Sequence, residues 1–599
     1  MSGTINDFSI HVATVNGSGS QTANTTLMRA IFQMGVPVSG KNLFPSNIAG
    51  LPTWFTIRVS DRGYLARRRA NDVLVAMNPE TSVEDIQAMG PGSVIVLNEG
   101  LPTPAIPSDR TVYKIPFQKL VEPLVPDAKF RKLVVNMVYV GVVASIVGID
   151  PDEVERALQA QLGRKPKALE TNLAAVRAGM EYAARNLGSS PFRVERRDRT
   201  AGKILIEGND AAALGAMFGG ITFLSWYPIT PSSSLAEALQ GYLERYRRDP
   251  KTGRATFGII QAEDEIAAIG MVLGASWCGA RAMTTTSGPG LSLMTEFTGY
   301  SYYAEIPAVI WDIQRVGPST GLPTRTSQAD LLSVAFLSHG DTKHVILLPA
   351  TVEDCYEYGM ESFDLAERLQ APVFVLSDLD LGMNVWMSDP FRYPEKPWDR
   401  GKVLTAADLT RIGKFERYRD VDGDGIPYRT LPGTDHPLAG CFTRGSGHDE
   451  RAKYTENAET YARVMDRLAK KYETARTLVP PPVVERARGA EIGILAFGTS
   501  HWAVLEARDL LTPQGLETSY LLLKAIPFSK EVRAFLESHD RVYVVEQNRD
   551  GQMAALLKME YPALATKLRS VLHYDGLPID AQTIVDQIKN REREGVLAR

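Results

Sequence analysis

Three short segments carry the side chains best placed to do chemistry. In SWYPITPSSSLAEAL, residues 225–239, a strand-like apolar run passes straight into a helical pattern. The pattern predicts Thr230 as the helix N-cap and Pro231 as the first helical residue, where a missing N–H costs nothing. A strand end that meets a helix N-terminus is also where an α/β sheet binds anions. In the second segment Glu263, Asp264 and Glu265 precede the small and apolar run IAAIGMVLGASW, and a strand and the turn Ser287-Gly288-Pro289-Gly290 follow. An acid in a helix's first turn is favourable by under about 1 kcal/mol and needs no other reason to be there. The third segment, DIQRVGPSTGLPTRTSQADL, residues 312–331, sets Arg315, Thr324 and Arg325 among Gly, Pro, Ser and Thr after a strand. By composition alone it is a long surface loop.

Other segments offer weaker chemistry. NGSGSQT, residues 16–22, lies between a strand and a helix and could cradle phosphate, but Thr22 stands where a dinucleotide fingerprint needs its third Gly. In DVDGDGIPYRTLPG, residues 420–433, three aspartates imitate a calcium loop whose twelfth position is Leu431 instead of Glu. A rigid Gly/Pro loop is the better reading, and no metal ligand is assigned. The late segments KAIPFSK, residues 524–530, and VYVVEQNRDGQM, residues 542–553, read as a potential subunit interface and a strand-turn-helix crossover. Cys278, Cys355 and Cys441 are far apart in sequence, so no zinc or iron-sulfur motif can be written.

These segments need α/β scaffolding to hold them. A chain of 599 residues exceeds one hydrophobic core, and its 44% hydrophobic and 23% charged residues are those of an ordinary globular protein. Strand-like runs alternating with helical patterns predict doubly wound sheets in three places: from Phe8 to about residue 190, from Lys203 to about 395, and from Ile492 onward. GSSPFRVERRDRTAG, residues 188–202, and LVPPPVVERARGA, residues 478–490, read as linkers, with a polar extension ahead of the second. The apolar run Leu133–Ile149, interrupted by Asn136, predicts a buried helix in preference to a membrane span. A net charge of −4 makes no case for nucleic acid, and the opening residues lack the features of a secretory signal, so a reducing cytoplasm is expected.

The string Tyr227-Pro228-Ile229-Thr230-Pro231-Ser232-Ser233, the acidic start before a helix of small residues, and the loop from Asp312 together resemble the 2-oxoacid:ferredoxin oxidoreductases, over almost the whole chain. The resemblance implies an α/β fold of three doubly wound domains: a gamma-like domain at 1–190, a thiamine diphosphate pyrimidine-binding domain at 200–395, and a transketolase C-terminal-like domain at 486–599 after an extension and linker at 396–485. It further implies that Glu265 is the catalytic glutamate on the aminopyrimidine, with Pro228 beside the cofactor. Thr230 and Arg315 then bind the oxoacid carboxylate, and Thr324 and Arg325 the far end of the substrate. A planar guanidinium suits such a task.

The same resemblance implies an alpha subunit with a fused gamma domain, coenzyme A as co-substrate and ferredoxin as electron acceptor. Because neither a diphosphate motif nor cluster cysteines are present, a beta subunit is expected to bring Mg, the diphosphate site and the [4Fe-4S] cluster into an (alpha-beta)2 assembly. The polar groups beyond Arg315 favour 2-oxoglutarate as substrate, with pyruvate or a broad range of 2-oxoacids as the alternative. A transketolase-like subunit without electron transfer and a non-catalytic scaffold are the competing classes.

Overall fold

The computed structural model describes residues 3–44 and 50–597. The chain forms two compact units, the first running to Ile206 and taking in Asn384–Pro390 and Ile579–Gln582, the second holding the remainder from Glu207 onward.

The first unit is built on an eight-stranded sheet in the order Thr111–Ile115, Val94–Asn98, Val73–Ala76, Asp7–Val15, Pro52–Ser60, Val38–Leu43, Val385–Ser388 and Ile204–Glu207. The first four are mutually parallel, as expected. The sheet then turns antiparallel through Pro52–Ser60, Val38–Leu43 and Val385–Ser388, which the parallel reading did not foresee. VSGKNL is a poor strand by composition. Burial compensates, since a side chain on Gly40 would meet Met28 Sδ at 2.6 Å, and Lys41 lies 3.8 Å from the Trp386 ring centroid. Ile204–Glu207, expected to open the second sheet, is instead the edge of this one.

The apolar run forms the helix Ala128–Val147, long and apolar enough to cross a membrane, with 72% of its most apolar window buried inside the fold. It packs on Pro166–Asn186 with backbones in contact, because a Cβ on Gly141 would lie 2.0 Å from Val176 O and one on Gly179 2.2 Å from Val138 O. Asn136, the polar interruption, donates Nδ2 to Ser18 O at 2.6 Å and so anchors the 16–22 turn. That turn is therefore held as structure. The segment expected as the first linker is pinned too: Phe192–Arg193 pairs with Thr4–Ile5, and Arg196 bridges to Asp150 and Glu153.

The second unit carries two sheets. One has the order Gly258–Gln261, Phe223–Trp226, Ala282–Thr286, Ala308–Gln314, Pro372–Asp378, Val345–Leu347 and Ala525–Ile526, parallel except for the last strand. The segment 524–530, expected at a subunit interface, thus supplies a buried strand and a buried ion pair, Lys524 Nζ with Asp354 Oδ2 at 2.6 Å. The other sheet runs Val483–Glu485, Thr518–Leu522, Ile492–Ala496, Arg541–Glu546 and Leu568–Leu572. Its first strand is antiparallel and comes from the segment expected as a stiff connector.

The polar extension is fixed by charge. Its helix Ala458–Ala475 brings Arg467 and Lys471 to Glu305, which is fully buried, with Lys471 Nζ 2.8 Å from Oε2 and Arg467 Nη1 3.0 Å from it. In the 420–433 loop, Asp420 accepts backbone N–H groups of Gly423, Asp424 and Gly425, while Asp422 and Asp424 pair with Lys402. The acids that imitated a calcium loop are satisfied by protein groups.

Burial raises the Glu305 carboxyl, but Arg467, Lys471 and Arg417 outweigh it and hold its pKa at about 2, below the ordinary 4.5. A depressed carboxylate contributes stability that is present above about pH 4.5 and lost as pH falls towards 2. Glu305→Gln, which strands Arg467 and Lys471, should cost roughly 3–5 kcal/mol at pH 7. Denaturant melts at pH 7 and pH 3 are expected to show a smaller wild-type advantage at the lower pH.

Candidate active site

The three segments singled out in the sequence all leave the carboxyl ends of neighbouring parallel strands. Phe223–Trp226 leads into 227–232, Gly258–Gln261 into 262–264, Ala282–Thr286 into Ser287, and Ala308–Gln314 into Arg315. Adjacent strand ends of an open parallel sheet form the crevice where α/β proteins place ligands.

Glu265 is the first residue of the helix Glu265–Trp277 and is 6% exposed, whereas Glu263 is exposed. Asp264 is the N-cap, accepting the Ala267 N–H at 2.7 Å, which accounts for that acid by ordinary capping. Among the described residues no hydrogen bond or ion pair engages the Glu265 carboxyl. It lies against Gly290, where an added Cβ would fall 3.0 Å from Glu265 Oε1 and 2.0 Å from Thr286 Oγ1. The Ser-Gly-Pro-Gly turn therefore needs its last glycine to make room for this acid.

The loop Tyr227–Ser232 differs from its expected form. The helix begins at Ser233 with Ser232 as N-cap, so Thr230 is not the cap and Pro231 is not its first residue. The hydroxyl of Ser233 accepts the Ile229 N–H at 3.0 Å and Asn209 donates to Pro231 O at 3.0 Å, which holds Thr230 two residues short of the cap. Thr230 instead offers its carbonyl to Arg315 Nη1 at 2.7 Å. Pro228 stands exposed on the rim.

Arg315 is 7% exposed, and its Nε has no partner among the described residues. Burial lowers the guanidinium pKa, opposed by the charge of Asp330. The 312–331 segment, expected as an open loop, is folded on itself: Val316 N–H bonds Arg325 O at 3.0 Å, and Leu322 N–H bonds Val316 O at 3.0 Å. Arg325 Nη1 donates to Thr324 O at 3.0 Å and approaches its Oγ1 at 3.2 Å. The fold thus joins Thr230 to Arg315 and, through the loop neck, both to Thr324 and Arg325.

Two acids that sequence reasoning passed over complete the site. Asp312 lies within the strand Ala308–Gln314 that leads into Arg315, and Asp330 lies where a Cβ on Gly288 would meet both its carboxyl oxygens at 2.8 Å. Burial, then Asp330, raises the Asp312 pKa, and burial raises Asp330 to about 6 against the pull of Asp312 and Arg315. Close approaches therefore run from Glu265 past Gly290 and Gly288 to Asp330, whose charge reaches Arg315, which in turn bonds Thr230. The hydroxyls of Thr284, Thr285 and Ser287 are buried beside this path with no partner. A buried, unengaged carboxyl with a buried cation further along the path can activate a heteroaromatic nitrogen and hold a carboxylate. Among the described residues no group of His, Cys, Asp or Glu is arranged to bind a metal ion.

Comparison with known proteins identifies the family. Residues 214–386 match the family model "Pyruvate flavodoxin/ferredoxin oxidoreductase, thiamine diP-bdg", and residues 9–182 match "Pyruvate ferredoxin/flavodoxin oxidoreductase". The alpha subunit of 2-oxoacid:ferredoxin oxidoreductase 1 from Aeropyrum pernix is 30% identical, over 98% of each chain. The 2-oxoglutarate synthase subunit KorA of Archaeoglobus fulgidus is 36% identical, over 57% of this chain and 88% of its own. Among solved structures, 2-oxoglutarate:ferredoxin oxidoreductase from Magnetococcus marinus, with 2-oxoglutarate, coenzyme A and succinyl-CoA bound, superposes with TM-score 0.88 at 30% identity, over 98% of this chain and 99% of that one.

A methyl at residue 290 cannot be accommodated without moving Thr286 or Glu265. Gly290→Ala should destabilise the chain by about 1–3 kcal/mol through overpacking. Gly241→Ala, whose Cβ meets nothing within 4 Å in the helix Ser233–Tyr246, should be neutral or stabilising by up to about 1 kcal/mol. Paired thermal melts check the contrast.

Proposed function

Because the chain belongs to the family of 2-oxoacid:ferredoxin oxidoreductase alpha subunits, we propose that it catalyses, with a beta subunit, the coenzyme A-dependent oxidative decarboxylation of 2-oxoglutarate with electrons passed to ferredoxin. The observation that carries the reading is the Glu265 carboxyl, buried at the head of its helix against Gly290 and engaged by nothing else described. Such an acid fits the aminopyrimidine of thiamine diphosphate. When bound, that cofactor supplies the carbon nucleophile for the keto group and the electron sink left when carbon dioxide departs.

The chain's own residues hold and orient. Glu265 donates or accepts a proton at the ring nitrogen and so favours the tautomer that activates the cofactor. Arg315, anchored by the Thr230 carbonyl, keeps its remaining N–H groups for the 2-oxoacid carboxylate in a site shielded from water. Arg325 and Thr324, joined to the same loop neck, meet the distal carboxylate of 2-oxoglutarate. The full-length Aeropyrum relative is named for 2-oxoacids in general, which favours a broad substrate range as the second reading.

A partner chain is supported by the helix that carries Glu265. Its sequence EIAAIGMVLGASW is apolar all round, yet Ile266, Met271 and Trp277 are about two-fifths exposed. On the neighbouring helix Gly288–Ala304, Leu293 is 49% exposed. Helices of this kind are normally covered, and a beta subunit bearing the diphosphate site, Mg and a [4Fe-4S] cluster is the cover we assign, in an (alpha-beta)2 assembly. The domain assignment goes with this reading: gamma-like at 1–190, pyrimidine-binding at 200–395, extension at 396–485 and transketolase C-terminal-like at 486–599. Three cysteines without a disulfide partner suit a reducing cytoplasm.

Glu265→Gln in the assembled complex should lower oxoacid-dependent dye reduction by roughly 100- to 10,000-fold, while Glu263→Gln retains near wild-type turnover. More than about a tenth of wild-type activity in Glu265→Gln, less than the loss acid-base catalysis implies, would refute the assignment. At saturation 2-oxoglutarate should turn over faster than pyruvate, and a pyruvate rate several-fold the higher would transfer the proposal to the pyruvate branch.

A further inference from the structure

In the cluster around Glu305 and Glu367 the buried cations outnumber the buried carboxylates. Arg281, Arg417, Arg429, Arg467 and Lys471 are each at most 9% exposed, and the fully buried carboxylates paired with them are Glu305 and Glu367. Glu367 serves Arg281 and Arg429 and also takes Arg400 from the edge, while Asp364 helps Arg281 from a more exposed position. Glu305 serves Arg467 and Lys471. Arg417, 5% exposed, has no ion-pair partner among the described residues. Its Nη2 donates to Glu305 O at 2.9 Å, and its Nη1 is buried with no hydrogen-bond partner.

An unpaired buried cation costs several kcal/mol unless an anion accompanies it. The excess is felt by its neighbours. Burial, with repulsion from Arg467 and Arg417, pulls the Lys471 ammonium down to about 8 in spite of Glu305. Burial likewise pulls Arg429 down to about 10.

Arg417 and Arg429 line one cavity of about 140 Å³. Its other walls include Glu305, whose carboxylate is already taken by Arg467 and Lys471, and Ile306, Pro307, Leu431 and Cys441, so the two guanidinium groups share the lining with apolar surface. Arg429 Nε is also buried and without a partner. A bare inorganic ion would leave the apolar walls dry and uncontacted, whereas a carboxylate on a short hydrocarbon body satisfies both surfaces. We propose that the Arg417–Arg429 cavity is a binding site for a small organic carboxylate, built from none of the residues of the oxoacid site.

Cys441 gives a local reporter. Iodoacetate presents a carboxylate and iodoacetamide does not, and both alkylate a thiol with loss of iodide. On the full-length chain the iodoacetate-to-iodoacetamide rate ratio at Cys441, followed by peptide mass spectrometry, should exceed that of glutathione in the same buffer at least tenfold. Succinate should protect Cys441 saturably, and should raise the melting temperature saturably as a readout independent of the thiol. Both effects should survive Arg315→Met, which removes the oxoacid-site cation, and should disappear in Arg417→Met. Arg417→Lys, which keeps the charge and loses the fork, should weaken protection at least several-fold and serves if the methionine variant does not fold. A glutathione-like ratio with no effect of succinate on melting overturns the proposal, as does loss of both effects in Arg315→Met. Protection by inorganic phosphate at lower concentration than succinate also overturns it, in favour of a phosphoryl site.

Discussion

The candidate site rests on the way Gln328 is held. Its backbone N–H bonds Gln547 O at 2.8 Å, its side-chain oxygen accepts from Gln547 N at 3.0 Å and Ser500 Oγ at 3.1 Å, and its amide donates to Phe497 O at 3.1 Å. Asn548 closes the set by donating to Gln328 O at 3.0 Å. A buried amide satisfied on every side is rigid, and losing one partner leaves a desolvated group that costs about 1–3 kcal/mol. This fixes the end of the 312–331 segment to the strand ends of the C-terminal sheet. With one end continuing Ala308–Gln314 and the other locked at Gln328, Arg315 and Arg325 have little freedom left. The precision with which a glycine- and proline-rich loop can present two guanidinium groups comes from this anchorage.

Around that frame the acids are graded by what engages them. Glu546, fully buried, is consumed by the Asn548 amide and the Met553 and Ala554 N–H groups, and acts as the cap of the helix Gln552–Glu560. Burial raises the proton affinity of both Asp312 and Asp330, Asp330 raises that of Asp312 further, and the charge of Asp330 steadies Arg315. Glu265 is buried at the head of its helix with no hydrogen bond or ion pair among the described residues. Burial without a partner is costly, and a bound group that engages the carboxyl would relieve that cost.

Much of this was legible in the sequence, for identifiable reasons. The local pattern of acids before a helix of small apolar residues left Glu263, Asp264 and Glu265 alike, and the family resemblance implied Glu265; in the fold Asp264 caps, Glu263 is solvated and Glu265 is buried. The strands Ala282–Thr286, Thr518–Leu522 and Arg541–Glu546 fall within the regions expected to hold sheets, since short β-branched and aromatic runs between turn residues leave few alternatives. The Thr230 cap was misread because three consecutive serines follow it, and any can cap; Asn209, from an earlier helix, decided the register. Gln328 was invisible for a related reason. Its partners lie 169 to 220 residues away, and no local pattern reports such a distance. Asp312 looked like the first residue of a loop, and only the sheet around it shows it to be buried.

The seventh strand of the sheet that bears the site, Ala525–Ile526, lies some three hundred positions after the strand Phe223–Trp226. The N-terminal sheet likewise waits for Val385–Ser388 to cover Val38–Leu43. Synthesis is vectorial, so when either early sheet leaves the ribosome it has an open edge, and it keeps that edge while the remaining chain is made. Each sheet is a promise completed late in translation. The first unit therefore cannot be cut off where the chain leaves it at Ile206, because its sheet borrows Val385–Ser388 from a stretch of message not yet read.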